Sequence, residues 1–95
     1  MGIYFMANIR IRDEQDYQRY LDRSDEVFKK YRGSYLAVDS KPEVMEGTWD
    51  YSRAVLIRFD TKADFEAWYD SPEYQEILRY RLRSAECDTI LIEGA

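Results

Sequence analysis

The stretch Ile3-Tyr4-Phe5-Met6-Ala7-Asn8-Ile9-Arg10-Ile11 puts Ile3, Phe5, Ala7, Ile9 and Ile11 on one side of an extended chain and Tyr4, Met6, Asn8 and Arg10 on the other. Successive side chains of a strand point to opposite faces, so this is a β-strand with one apolar face and one mixed face. A sheet made of such strands buries the first face under helices and leaves the second in need of a cover.

Outward from this strand, Asp13 offers an N-cap oxygen, and Tyr17, Tyr20, Leu21, Ser24, Val27, Phe28 and Tyr31 recur at helical spacing. Gly33 is the expected C-cap of that helix. A second strand is expected over 34–39. The Ser40-Lys41-Pro42-Glu43 turn and an extended return through Val44 to Trp49 follow it. Arg53 to Asp60 alternates as a third strand. Thr61, with Asp64 three residues on, starts a second helix carrying Phe65 and Trp68. That helix pauses at Ser71, restarts at Pro72 and runs to about Ala85, before a last strand over 88–93.

Strand, helix, strand, strand, helix, strand is the order of a doubled βαβ unit. The endings Val44-Met45-Glu46-Gly47 and Leu91-Ile92-Glu93-Gly94 echo that duplication weakly. Two right-handed crossovers interleaved in one sheet give an α+β, ferredoxin-like βαββαβ fold with antiparallel sheet order 4-1-3-2 in a single domain. Ile3, Phe5, Ile9, Leu36, Val38, Val55, Ile57, Phe59, Ile90 and Ile92 are expected to face the helices. Tyr4, Met6, Asn8, Arg10, Tyr35, Ala37, Leu56, Arg58, Thr89, Leu91 and Glu93 are expected on the opposite face. That second face is too apolar for water, and a second copy of the same sheet is its simplest cover.

Composition narrows the function classes. The chain has 95 residues, 35% of them charged, and a net charge of -5. An acidic surface opposes binding to a phosphate backbone, which depends on Lys and Arg releasing counterions. Arg32 to Asp39 mimics an RNA-recognition octapeptide, but Ser34 replaces a stacking aromatic and the segment falls on strand two, not three. Nucleic acid is not an expected partner. No apolar run approaches the roughly 18 residues of a membrane span, and the alternating N-terminal stretch does not read as a signal peptide. With no histidine and one cysteine, Cys87, the chain has no Cys-His or Ser-His-Asp machinery and no ordinary zinc site. Neither a metal nor a cofactor is expected, and the lone thiol fits a reducing, cytoplasmic setting.

Trp68-Tyr69-Asp70-Ser71-Pro72-Glu73-Tyr74 reads physically as a helix break with an aromatic corner. Together with Tyr17 and Tyr20, Gly33-Ser34-Tyr35-Leu36-Ala37, Glu46-Gly47-Thr48-Trp49, Arg53, Arg81 and Ile92-Glu93-Gly94, it resembles the domain of unknown function 1330 family over nearly the whole chain. The resemblance implies a dimeric α+β barrel, in which two ferredoxin-like sheets pack face to face as a homodimer. It departs at Arg32, where the family usually has a glycine, and at Arg58, where it usually has a glutamate. An activity resting on that glutamate would be altered here.

The function expected is a cytoplasmic homodimer binding a small organic molecule in or beside the space between the two sheets. Tyr4, Asn8, Arg10, Tyr35, Trp49, Arg58 and Tyr69 are the expected ligand contacts. Cofactor-free acid/base chemistry would draw on Arg53 and Arg81 to hold a carboxylate or enolate oxygen and on Glu46 or Glu93 as base. Ion pairing of those arginines with those glutamates is the structural alternative. A non-catalytic dimeric binding or interaction module is the other functional class that fits.

Overall fold

A computed structural model describes residues 2–95. Its elements are β1 (Ile3–Ile11), α1 (Glu14–Phe28), β2 (Gly33–Asp39), β3 (Arg53–Phe59), α2 (Lys62–Tyr69), α3 (Pro72–Ser84) and β4 (Ala85–Glu93). The four strands form one antiparallel sheet in the order β2-β3-β1-β4, which is 4-1-3-2 read from the other edge. The ferredoxin-like α+β topology follows, with α1 packed along α3.

Each helix starts where a short oxygen-bearing side chain can satisfy a free amide. Asp13 accepts from the Asp16 amide and Thr61 from the Asp64 amide, both at 3.1 Å. Ser71 does two jobs at the break between α2 and α3. Its Oγ donates to the Trp68 carbonyl at 2.8 Å and accepts from the Tyr74 amide at 3.1 Å, with Pro72 at the first helical position. The break swings Tyr74 against Trp68, their ring centroids 4.2 Å apart, while Trp68 stacks on Phe59 at 5.6 Å. Trp68 is buried, and at about 25 cal/mol per Å² a tryptophan of roughly 200 Å² contributes about 5 kcal/mol of apolar burial.

Four expectations are corrected. The first helix ends at Phe28, with the Lys29 amide donating to Asp25, so Gly33 is not its C-cap. Gly33 instead opens β2 opposite Phe59, where a Cβ would lie 2.5 Å from the Phe28 ring. It is needed for close approach. The return from Val44 to Trp49 is not one extended run, because the chain bends over 45–47 within the loop over 40–52. β4 begins at Ala85, directly after α3, and pairs Ala85 with Ile11.

The fourth correction concerns faces. Phe5 pairs with Leu91 and Ala7 with Thr89, so Thr89, Leu91 and Glu93 share the helix side while Ile90 and Ile92 join Met6 and Tyr4 on the open side. Thr89-Ile90-Leu91-Ile92 has too little alternation to fix its own phase, and a one-residue slip exchanges every side chain. In β2 the register shifts between Tyr35 and Ala37. Tyr35, opposite Ile57, therefore faces the helices, its ring 4.5 Å from Phe28. Leu36 and Val38 remain half exposed and are not core. The core that does form is Phe5, Ala7, Ile9, Val55, Ile57 and Phe59 of the sheet against Tyr17, Val27, Phe28, Trp68, Tyr74, Ile77 and Leu78 of the helices.

Candidate functional site

The inward face of α1 carries Tyr17, Tyr20 and Ser24 at helical spacing, and α3 turns Arg81 toward the same layer. Beneath them lie Ile9 of β1, Arg53, Val55 and Ile57 of β3, and Tyr35 of β2. Together with Trp68 of α2 they enclose a cavity of about 30 Å³ between helices and sheet.

Arg81 is only 2% exposed, although it carries a guanidinium. Its charge lies 5.8 Å from the Tyr20 ring centroid, and that of Arg53 lies 5.8 Å from the Tyr17 ring centroid. Such ring contacts stabilise a cation modestly, and the guanidinium donors still need acceptors. The Nε atoms of Arg53 and Arg81 and the Nε1 of Trp68 are buried without a hydrogen-bond partner. Each such group costs about 1–3 kcal/mol. The three residues that carry these donors line one small space, and the described residues that line it include no carboxylate.

The titratable groups around the cavity reinforce its cationic character. Burial opposes the charge on Arg81, but the phenols of Tyr74 and Tyr20 and the thiol of Cys87 outweigh it, so its pKa is raised and the guanidinium stays charged. Burial pushes Tyr74 up to about 12 and holds Tyr17, Tyr20 and Tyr35 above the ordinary phenol range. These phenols are neutral at physiological pH. The Tyr20 and Tyr74 hydroxyls meet at 2.7 Å beside Arg81. Burial also raises the Cys87 thiol, with Arg81 opposing.

Of the residues expected from the sequence, Tyr35, Arg53 and Arg81 converge on this cavity. Tyr4, Asn8, Arg10 and Arg58 lie on the opposite side of the sheet. There Arg10 pairs with Asp50 at 2.8 Å and Glu86 at 3.0 Å, and Arg58 with Asp60 at 2.6 Å. Those two cations are already neutralised. Trp49 borders an open-face groove with Met6, Asn8 and Leu56, and packs on Tyr51 at 4.8 Å. Tyr69 is stacked on Phe65 at 5.3 Å, outside the cavity lining. Glu46 is exposed in the loop and Glu93 at the end of β4. Neither pairs with Arg53 or Arg81, and among the described residues no carboxylate does. Tyr17, Tyr20 and Trp68 were missing from the sequence-derived site. The signal for the first two was a polar tip on an otherwise apolar helix stripe.

Among the described residues no group of three or more Asp, Glu or Cys side chains could hold a metal ion, and no helix is long and apolar enough to cross a membrane.

The fold, the buried Arg81 and the half-buried Arg53 define a ferredoxin-like domain with a cationic cavity under its helices. The chain belongs to the family described as Domain of unknown function (DUF1330), whose profile matches residues 2–95. No functionally curated protein matches it in sequence. Among solved structures it is similar to RPA0582, a protein of unknown function from Rhodopseudomonas palustris. The identity is 18% and the TM-score 0.82, over 99% of this chain and 82% of that one. A dimeric ferredoxin-like protein of unknown function from Thermobifida fusca aligns at 18% identity and TM-score 0.70, over 99% and 92%. SnoaB, a cofactor-independent oxygenase from Streptomyces nogalater, aligns at 10% identity and TM-score 0.72, over 99% and 93%. At these identities the likeness establishes the fold.

Proposed function

We propose that this chain is a cytoplasmic homodimer that binds a small organic anion in the cavity between α1, α3 and the sheet, with Arg81 and Arg53 as its charged contacts. The observation that carries this reading is that three residues bearing unpartnered buried donors, two of them arginines, line one space with no acid in its lining. A structural arginine is normally buried with its carboxylate. One buried without it is prepared for a carboxylate or enolate oxygen that arrives with a ligand.

The dimer rests on the open face of the sheet, where Tyr4, Met6, Leu56, Ile90 and Ile92 cluster and Ile90 is 55% exposed. The Thermobifida fusca relative is described as dimeric, which supports the same assembly here. Pairing of two such faces would leave the cavity under the helices free in each protomer.

Proton abstraction by Glu46 or Glu93 has no support from their positions, so binding stands ahead of acid/base catalysis. The fold shared with a cofactor-independent oxygenase leaves room for chemistry in which Arg81 holds an enolate oxygen. A second reading, a non-catalytic dimeric module with a filled interior, is favoured by the small size of the cavity, about 30 Å³. Thermal-shift measurements with small carboxylates separate the two. A rise in melting temperature that disappears in Arg81→Met supports the anion site, and no shift with any carboxylate supports the filled module.

A further inference from the structure

The 30 Å³ cavity is not isolated from the surface, because Leu21, Ser24, Tyr35 and Arg53 also line an outer groove of about 410 Å³ that extends to Asp25 and Val38. The two spaces differ in chemistry. The inner one has room for about two water-sized groups, where roughly 10–15 Å³ holds one, and it carries the unpartnered donors. The outer one offers Leu21, Val38 and the Tyr35 ring, with one acid, Asp25, within hydrogen-bonding reach of the Tyr35 hydroxyl.

Resting on the anion-site reading above, we infer that the ligand class is a monocarboxylate with an uncharged apolar tail. Its carboxylate seats between Arg53 and Arg81 and its tail lies along Tyr35 in the outer groove. Two oxygens match the size of the inner space, and the four of a phosphate exceed it. Arg53 borders both spaces and therefore stands where head and tail join. Asp25 selects against a second negative charge at the far end of the ligand, because like charges a few ångströms apart repel.

Calorimetric titration with acetate, hexanoate, 3-phenylpropionate, adipate and inorganic phosphate tests this class. Hexanoate and 3-phenylpropionate should bind at least about tenfold more tightly than acetate, through the buried tail. Adipate, equal in length to hexanoate but with a second carboxylate, should bind about tenfold more weakly than hexanoate. The exposed substitution Asp25→Asn should remove most of that adipate penalty, read as the ratio of hexanoate to adipate affinity within the variant. Tail-independent affinity, or adipate equal to hexanoate in the native protein, overturns the ligand class while the anion site stands, provided acetate binding is lost in Arg81→Met. If none of the carboxylates binds, or if binding is indifferent to Arg81→Met, the anion site and the ligand class fall together. Phosphate binding as tight as hexanoate overturns the ligand class alone.

Discussion

The phenol oxygens of Tyr20 on α1 and Tyr74 on α3 lie 2.7 Å apart, joining the two helices through a hydrogen bond in the layer that holds Arg81. Tyr74 is there because Ser71 and Pro72 restart the helix at that point, and Tyr20 because it lies one helical turn from Tyr17. Replacing either tyrosine by phenylalanine strands the other hydroxyl and should cost about 1–2 kcal/mol. The double replacement should cost less than the sum of the two. Urea unfolding of the four proteins of this cycle measures the coupling, and strict additivity would show that the contact contributes nothing.

Arg81 should behave as a functional residue held against stability. Removing a buried charge that lacks a carboxylate, and keeping its volume, removes a desolvation cost. Arg81→Met is therefore expected to keep or raise the melting temperature of the ligand-free protein while abolishing stabilisation by carboxylates. A fall of several degrees without ligand would assign Arg81 to the structural framework.

Alkaline pH should unfold the protein through its buried phenols. Tyr74 is pushed up to about 12 by burial, against about 10 in an unfolded chain, and Tyr17, Tyr20 and Tyr35 are raised as well. A raised folded pKa gives stability that is fully present below pH ~10 and is lost as pH climbs through the folded value. Near-ultraviolet absorbance should show Tyr17, Tyr20 and Tyr74 silent until the cooperative loss of circular dichroism, whereas Tyr35, 43% exposed, ionises ahead of it. Smooth ionisation of all nine tyrosines near pH ~10 with the fold intact would contradict their burial.

Gly33→Ala should be costly although Gly33 has no left-handed backbone angle. Among the described residues Gly47 alone has a positive φ. An added Cβ at position 33 would lie 2.5 Å from Phe28 and 2.7 Å from Phe59, so two core rings must move. The expected loss is about 1–3 kcal/mol, read as a lower urea midpoint at unchanged slope. Gly47→Ala, in open space but at φ 90°, separates backbone strain from crowding.

Leu56 pairs with Met6 and Ala37 on the open face. In the proposed dimer Leu56→Glu would bury a charge between two sheets, so light scattering should report an 11.4 kDa particle for the variant and twice that mass for the native chain. A native chain that already scatters as 11.4 kDa would leave the face to another partner.

Much of this architecture was legible locally. Asp13, Thr61 and Ser71 announced three helix starts, and Ile3–Ile11 and Arg53–Phe59 showed a period of two, because caps and strand pleat act within a few residues. Gly33 misled because a glycine after a helix can serve a left-handed cap or a close approach, and only the position of Phe28 and Phe59 distinguishes them. The arginines were legible as candidates, but their surroundings were not. Arg10, Arg53, Arg58 and Arg81 look alike in sequence, yet two meet carboxylates and two lie beside aromatic rings under the helices, Arg81 buried and Arg53 half-buried.

The sequence by itself determined the order of elements, the helix breaks and a sheet with two unlike faces, since these follow from backbone chemistry and short-range periodicity. The tertiary structure decided which side of that sheet holds the candidate site. The register shift after Tyr35 turns its ring toward the helices, and the pairing of Ala85 with Ile11 sets the phase of β4. Packing of α3 against α1 brings Arg81 to the cavity that Arg53 of β3 also lines. Register and helix placement depend on hydrogen bonds and contacts between residues far apart in the chain, which no local pattern encodes.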